Sequence, residues 1–276
     1  MKKIKIISSD LNGTLVVQHT MSDIIRHYIG DKQYQKAKDT FRSRLEGRLS
    51  MADVFKILGP LTRGLTLRQA IDYTIEHMTY INGFHEFLNF LNKKNIPLII
   101  NSTVYSVTLY AIEAQVGPDK FYGCICNRLK FGIDGKPEKE IPETELKEYV
   151  HEYFMVGGLP TDRLYDDIRA TGDMELIVSR EEDKTAHLID YLNKHFPDIK
   201  LHETAHIGDT MGDSRILHDI AESGGVAIGF NYNQRLKDYL EHLRDDSLMP
   251  GEVFLIDPKG DDSDLRNVID ILRKFT

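Results

Sequence analysis

The feature that most constrains the fold is the alternation of short apolar segments with helical segments. Apolar runs typical of buried strands occur in six places, at residues 4–9, 96–100, 121–126, 205–208, 225–230 and 252–256. Apolar residues at helical spacing fill most of the intervals, and the links are short. Strands buried on both faces of a parallel sheet have this near-continuous apolar character. The sequence therefore predicts an α/β fold in which helices flank a parallel sheet.

One long interval contains no strand-like segment. Between residues 20 and 79, helical spacing recurs at 21–29, 32–46, 50–59 and 66–79. We therefore expect an α-helical cap at 17–80, inserted into a core made of 1–16 and 81–276.

The region 138–183 is harder to interpret. It contains one expected helix at 143–154 and a segment at 175–179 that can form a strand. Just before it, residues 129–137 include an Asp134-Gly135 pair and are expected to form a turn or hairpin. We treat 138–183 as an insertion in the core domain that the sequence alone does not place.

Composition narrows the class of protein. The 276 residues carry a formal net charge of −8, which argues against nucleic acid as the main partner. No apolar run is long enough to span a membrane, and the apolar start is too short for an export signal, so a cytoplasmic protein is expected. Cys124 and Cys126 are interpreted as ordinary small side chains, although metal or redox roles stay open. Oligomeric state is not readable.

Four polar segments follow expected strands or begin expected helices. Ligands of open α/β sheets bind at the carboxyl ends of the strands, so these segments should meet at one edge. The first contains Asp10, whose carboxylate can attack phosphorus or can simply form an Asx turn. The second contains Ser102, whose hydroxyl can donate to a phosphate oxygen or cap the next helix.

The other two segments carry opposite charges. Lys184 opens an expected helix, where the helix dipole disfavours a cation. Nearby carboxylates or a phosphate can offset that cost; the alternative is a solvated lysine in a charged run. Asp209 and Asp213 follow a strand and suit Mg²⁺, which prefers oxygen ligands; the alternative is a pair of helix-capping aspartates.

Together these segments resemble the motifs of the haloacid dehalogenase (HAD) superfamily, and more closely its phosphoserine-phosphatase-like branch, which has a helical cap between the first two motifs. The first motif, D-x-D-x-T, is matched by the segment from Asp10 to Thr14 except at Asn12. The remaining motifs are matched by Ser102, by Lys184, and by Gly208, Asp209 and Asp213 in G-D-x-x-x-D. The resemblance implies a Rossmann-like three-layer core.

The resemblance also implies a function: Mg²⁺-dependent hydrolysis of a small phosphorylated metabolite through an aspartyl-phosphate on Asp10. It implies substrate contacts from Ser102, Thr103 and Lys184. It implies metal ligation by Asp10, by the backbone carbonyl of Asn12, by Asp209 and by Asp213. Substrate choice would be set by the cap, where Glu46, Arg48 and Arg63 are candidates, although ordinary surface charge also explains them.

Asn12 departs from the family pattern. The resemblance places there a second aspartate that protonates the leaving group and activates water, help worth about 10²–10⁴ in rate. An amide does neither, so turnover is in doubt unless another side chain, for example from the cap, supplies the acid. The first alternative is a HAD-fold protein that binds a phosphorylated ligand without hydrolysing it. The second is a dehalogenase that uses the same nucleophile, which a metal site at Asp209 and Asp213 would disfavour.

Overall fold

A computed structural model describes residues 3–117, 120–156 and 162–276. Its strands are β1 (Ile6–Ser9), β2 (Leu98–Tyr105), β3 (Gly123–Ile133), β4 (Ile168–Glu175), β5 (Thr204–Gly208), β6 (Val226–Phe230) and β7 (Glu252–Ile256). They form one sheet in the order β4-β3-β2-β1-β5-β6-β7. All neighbours are parallel except β3 and β4, which are antiparallel. The predicted α/β class is confirmed.

Twelve α-helices within the described ranges connect and cover these strands. They are α1 (Thr20–Tyr28), α2 (Asp31–Leu45), α3 (Met51–Leu61), α4 (Leu67–His77), α5 (Phe84–Lys94), α6 (Ser106–Val116), α7 (Glu143–Met155), α8 (Leu164–Asp167), α9 (Lys184–His195), α10 (Ser214–Ser223), α11 (Gln234–Arg244) and α12 (Arg266–Leu272). None of the helices in the described ranges is both long and apolar enough to cross a membrane.

The core lies on both faces of the sheet, because side chains alternate along each strand. Ile7 packs in the cluster formed with α5 and α12, whereas its neighbour Ile6 packs on the opposite face with α9 and α10. Both are fully buried. Burial of such a side chain stabilises the fold by about 1.5–3 kcal/mol. The predicted three-layer core follows from this two-sided burial.

The strand order reverses beside β1. From β1 the chain moves outward through β2 to β3 and β4, then returns to β5 and moves outward the other way. At such a switch point the connections leave to opposite faces and open a crevice beyond the carboxyl ends of the strands. Here that crevice is flanked by the ends of β1 and β5.

Helices α1 to α4 form the region predicted as the cap. Helices α3 and α4 both begin with capping boxes, Ser50 with Asp53 and Thr66 with Gln69. The two chain segments that join this region to the core are bonded to each other, since the Val17 N–H donates to the Thr79 carbonyl at 2.9 Å. The apolar side of the cap packs in a single cluster with residues of β2, β3, α6 and α7.

One local prediction was confirmed and another was wrong. Residues 129–137 form a hairpin-like turn, since β3 runs to Ile133, the chain turns at Asp134 and Gly135, both with positive φ, and Glu140 bridges back to Gly132 in antiparallel register. The last strand of this region is 168–175, not 175–179. Its sequence, Ile-Arg-Ala-Thr-Gly-Asp-Met-Glu, has little apolar alternation, and it forms a strand because β3 offers an antiparallel partner.

The region 138–183 is placed against the cap. Its helix α7 packs on α6, and β4 lies at the edge of the sheet beside α3. Backbone bonds join this strand to the cap: Gly64 N–H donates to the Ala170 carbonyl at 2.9 Å, and Ala170 N–H donates to the Leu65 carbonyl at 2.8 Å. Backbone hydrogen bonds thus join the cap to β4, in addition to the one between its two linkers.

Candidate active site

Asp10 lies directly after β1, at the crevice. Its backbone N–H donates to the Ile207 carbonyl of β5 at 2.9 Å, and its Oδ1 accepts from the Leu11 N–H at 2.7 Å. Burial raises the pKa of this carboxyl, while Lys184 opposes that rise. The turn that follows needs glycine, because Gly13 has φ +76° and a Cβ there would lie 2.3 Å from Asp209 Oδ2. The chain therefore brings two carboxylates close together.

Asp209 follows β5 on the other side of the crevice. Its Oδ1 accepts from the Thr14 hydroxyl at 3.3 Å, and the residue is 7% exposed. Asp10, Asp209 and Asp213 each offer a carboxylate oxygen within 4.8 Å of the others. Burial, reinforced by the charges of Asp10 and Asp213, holds the pKa of Asp209 well above its usual value. A cation bound beside this carboxylate would favour its ionised form.

Asp213 has both oxygens occupied. Oδ1 accepts from Lys184 Nζ at 2.7 Å and lies 3.3 Å from His206 Nε2, while Oδ2 accepts from the Asp209 N–H at 3.3 Å. Burial opposes ionisation, but Lys184 and His206 outweigh it and hold the pKa of Asp213 well below its usual range. We infer that Asp213 orients its neighbours.

Lys184 is the first residue of α9, as predicted, and its side chain is 2% exposed. Its Nζ lies 2.7 Å from Asp213 Oδ1 and 3.3 Å from Asp10 Oδ2. Burial alone would lower the pKa of Lys184, but the two carboxylates outweigh it and raise the pKa above its usual value. Lys184 is therefore not a solvated lysine in a charged run: it lies buried between two carboxylates.

The charges of this cluster fit a divalent cation. The two buried carboxylates of Asp209 and Asp213 and the partly buried one of Asp10, set against one lysine, leave a net charge of −2 at neutral pH when all are ionised. Uncompensated buried charge is costly, which is the reason for the raised pKa of Asp209. The donor set is all oxygen, which suits Mg²⁺. Asp10 and Asp209 are the carboxylates that would hold the ion.

Ser102 lies within β2, not at its end as predicted, because the strand continues to Tyr105 through an irregular register. Its hydroxyl is buried and close enough to Asp10 to oppose, in small part, the rise in the pKa of that carboxyl. It makes no hydrogen bond with the described part of the chain, and neither does the buried hydroxyl of Thr185 beside Lys184. Thr103 is half-buried, and its carbonyl accepts from Asn127. Ser102 is thus a donor available to a ligand.

Asn12 contacts the cap. Its side-chain Oδ1 accepts from the Thr20 hydroxyl at 3.1 Å and from the Thr20 N–H at 3.4 Å. Thr20 is the first residue of α1, so the amide satisfies one of the free N–H groups at that helix start. The side chain of Asn12, two residues after Asp10, is therefore hydrogen-bonded to the first turn of the cap.

Several residues around the cluster were missed from sequence. His206, fully buried in β5, bridges Ser8 Oγ at 3.0 Å and Asp213 Oδ1 at 3.3 Å. Its position inside an otherwise apolar strand was the signal. Asn231 Nδ2 donates to the Gly13 carbonyl at 2.8 Å and so supports the turn after Asp10. No short spacing connects Asn231 to that turn, so sequence offered no comparable signal.

The cap residues proposed from sequence lie at exposed positions. Glu46 and Arg48 form an ion pair with each other, and Arg63 lies against Gly172 of β4. A different arginine comes from the cap toward α9: Arg44 is half-buried and interacts electrostatically with Glu182. Glu182 precedes Lys184 by two residues. Of the four cap residues considered, Arg44 is therefore the better candidate for contact with a substrate.

Comparison with solved structures identifies the fold. A phospho-aspartyl intermediate analogue of phosphoserine phosphatase matches with a TM-score of 0.63 at 19% identity, over 98% of this chain and 100% of that one. A substrate-bound phosphoserine phosphatase complex matches with a TM-score of 0.64 at 18% identity, over 99% and 100%. A HAD family hydrolase from Salmonella enterica serovar Typhi matches with a TM-score of 0.62 at 15% identity, over 86% and 66%.

Sequence comparison adds no family assignment. No protein-family model matches the chain, and no curated protein matches it significantly. The structural matches cover nearly the whole chain, so the chain has the fold of phosphoserine phosphatases and HAD family hydrolases, as the motif resemblance implied.

Proposed function

We propose that this chain, with the fold of phosphoserine phosphatases and HAD family hydrolases, is a Mg²⁺-dependent phosphatase that acts on a small phosphorylated metabolite through Asp10. One observation carries the proposal: a carboxylate at a strand end lies 3.3 Å from a buried lysine, within a cluster of three carboxylates. A carboxylate held this way can act as a nucleophile toward phosphorus.

Each residue of the cluster has a distinct task in this proposal. Asp10 attacks phosphorus in line, and Lys184 neutralises negative charge as it develops on the transferring group. Ser102 donates its free hydroxyl to a phosphate oxygen. Asp213 and His206 keep Lys184 in place. A Mg²⁺ held by Asp10 and Asp209 would offset the repulsion between the nucleophile and the anionic substrate.

The cap would determine access and substrate choice. Residues 17–80 pack against residues of β2, β3, α6 and α7, and Arg44 interacts electrostatically with Glu182, which lies just before α9. A lid of this kind excludes water and strengthens electrostatic interactions inside the site. We include Arg44 in the substrate-binding part of the proposal, ahead of Glu46, Arg48 and Arg63.

The test is phosphate release from a panel of phosphomonoesters, with and without Mg²⁺, by the chain and by Asn12→Asp. We expect metal-dependent release that is slow in the parent chain and faster by about 10²–10⁴ in the variant, because a carboxylate restores acid–base help. Absence of release from both folded proteins would defeat the phosphatase proposal.

The second candidate is a binder of phosphorylated ligands, favoured by the engagement of Asn12 with Thr20 rather than with a proton-transfer partner. Such a protein would be stabilised by its ligand without releasing phosphate. A ligand at 100 times its dissociation constant adds about 2.7 kcal/mol to the free energy of unfolding. A dehalogenase is disfavoured, because that reaction does not require the cation that the carboxylate cluster suits.

A further inference from the structure

Asn12, two residues after the proposed nucleophile Asp10, has a side chain that does not titrate. Asn12 is an amide, which neither gives nor takes a proton near neutral pH, and its oxygen already accepts two hydrogen bonds from Thr20. The remaining N–H groups can stabilise negative charge by donating, but they cannot protonate a leaving group. Proton transfer next to Asp10 must therefore come from elsewhere or be unnecessary.

The charged groups that the structure describes around Asp10 do not supply the proton transfer that Asn12 lacks. Lys184 Nζ lies between the carboxylates of Asp10 and Asp213, and both oxygens of Asp213 are occupied by hydrogen-bond donors. His206 is fully buried and contacts Asp213 and Ser8. Asp209 accepts from the Thr14 hydroxyl and belongs to the group of carboxylates that would hold the cation. Each of these four is already committed to a partner.

The need for an acid depends on the leaving group. An alkoxide leaves as the base of an acid about as weak as water, whose pKa is about 15.7, so an alkyl phosphate needs proton donation. A carboxylate leaves as the base of an acid with a pKa of about 4. Acyl phosphates therefore release their leaving group without a proton, and an amide beside the nucleophile costs little for such substrates.

We propose that acyl phosphates are the substrates this site handles best and that they leave a long-lived aspartyl-phosphate on Asp10. This rests on the proposed function. In the transfer step, a carboxylate oxygen of Asp10 forms a bond to phosphorus, and the bond from phosphorus to the acyl oxygen breaks. The electron pair leaves on the carboxylate product, and no proton moves.

The second step, hydrolysis, explains why the aspartyl-phosphate on Asp10 is long-lived. Hydrolysis of the aspartyl-phosphate forms a bond from water oxygen to phosphorus, returns the electron pair to Asp10 and must transfer a proton from that water. Asn12 does not accept this proton, so the phosphoryl group stays on Asp10. The amide thus affects the two half-reactions differently: transfer from an acyl phosphate is nearly unaffected, and hydrolysis is slowed.

The experiment uses acetyl phosphate with Mg²⁺ and intact-mass spectrometry of the whole chain. Glycerol phosphate serves as the alkyl donor, and three proteins are compared: the chain itself, Asn12→Asp and Asp10→Asn. Asn12→Asp changes few atoms and keeps an oxygen that Thr20 can donate to, so it should fold. Phosphate release is followed in parallel.

We expect the parent chain to gain one phosphoryl group from acetyl phosphate, mapped to Asp10, and little or none from glycerol phosphate. Asn12→Asp should accept from both, and its phosphorylated form should decay faster by about 10²–10⁴. Asp10→Asn should gain none. Labelling on another residue, or a parent phosphoenzyme that decays as fast as that of Asn12→Asp, would overturn the inference.

Failure of this inference is distinguishable from failure of the proposed function. If Asn12→Asp hydrolyses phosphomonoesters with Mg²⁺ but the parent chain is not labelled by acetyl phosphate, the phosphatase proposal stands and the acyl-phosphate inference falls. If neither protein is labelled or releases phosphate from any donor, both fall.

Discussion

At the scale of single residues, Lys184 balances the charge of the site. It lies between Asp10 and Asp213, and its side chain is 2% exposed. Removing one member of a buried ion pair leaves an uncompensated charge, which typically costs 3–5 kcal/mol. Lys184 should therefore matter for stability as well as for chemistry.

We expect Lys184→Met to lower the free energy of unfolding at pH 7 by about 3–5 kcal/mol. The deficit should shrink as pH falls. Without the lysine, the native pKa of Asp10, already raised by burial, rises further and that of Asp213 rises as well, so the variant's native state binds protons more readily than the parent's and the deficit narrows in acid. In the parent, the native pKa of Asp213 lies below its unfolded pKa. The stability that this difference gives is fully present at pH values above the unfolded pKa and is lost as pH falls toward the native pKa.

Urea unfolding between pH 4 and pH 8 measures this. Lys194→Met is the matched control, because Lys194 lies in the exposed last turn of the same helix and its loss should cost less than about 1 kcal/mol. The ion pairs assigned to Lys184 would be contradicted if Lys184→Met lost no more free energy of unfolding than Lys194→Met, or if its loss grew toward acid pH.

Which site residues could be predicted from sequence depends on the kind of signal. Asp10, Lys184, Asp209 and Asp213 lie at strand or helix ends with short spacings, and the structure brings these four together. His206 acts from inside a strand, so neither spacing nor helix ends reveal it. The partner of Asn12 is equally hidden, because its contact with Thr20 depends on how the cap is packed.

At the scale of elements, the cap is bonded at two places. Val17 joins Thr79 at the linkers, and Gly64 and Leu65 join Ala170 of β4 through backbone bonds. An element held at one end can swing as a lid, whereas an element held at both ends is restrained. We therefore expect small motions of the cap and not a wide opening.

Hydrogen exchange of the two cap–β4 amides tests this restraint. The N–H groups of Gly64 and Ala170 should require an opening free energy of at least about 3 kcal/mol, approaching that of the sheet. The N–H of Ile7 in the central strand β1, which donates to the Pro97 carbonyl at 3.0 Å, provides an internal reference. Rapid exchange at both cap–β4 amides, with the reference protected, would show that the cap leaves β4 freely.

The elements themselves were predictable where their pattern is local. The four cap helices were expected because their apolar spacing lies within each segment and glycine or proline marks the breaks between them. In the structure, α3 and α4 also begin with capping boxes. β4 was not, because its residues alternate poorly and its pairing with β3 connects positions about forty residues apart. The same lack of a local signal left 138–183 unplaced.

At the scale of the whole molecule, the sheet order accounts for the location of the site. β1 and β5 flank the point where the strand order reverses, and their ends carry Asp10 and Asp209. The alternation of strands and helices predicted this α/β topology from sequence. What sequence could not supply was the net charge of −2 that this largely buried cluster carries when all its groups are ionised, since burial is a property of the folded chain.

The central claim is that this charge is balanced by a divalent cation, and thermal unfolding with and without Mg²⁺ tests it most directly. With chelator, Asp209→Asn should be at least as stable as the parent, because it removes one of three mutually repelling carboxylates. With Mg²⁺ at 100 times its dissociation constant, the parent alone should gain about 2.7 kcal/mol. A parent that gains nothing from Mg²⁺, or an Asp209→Asn variant that gains as much, would contradict it.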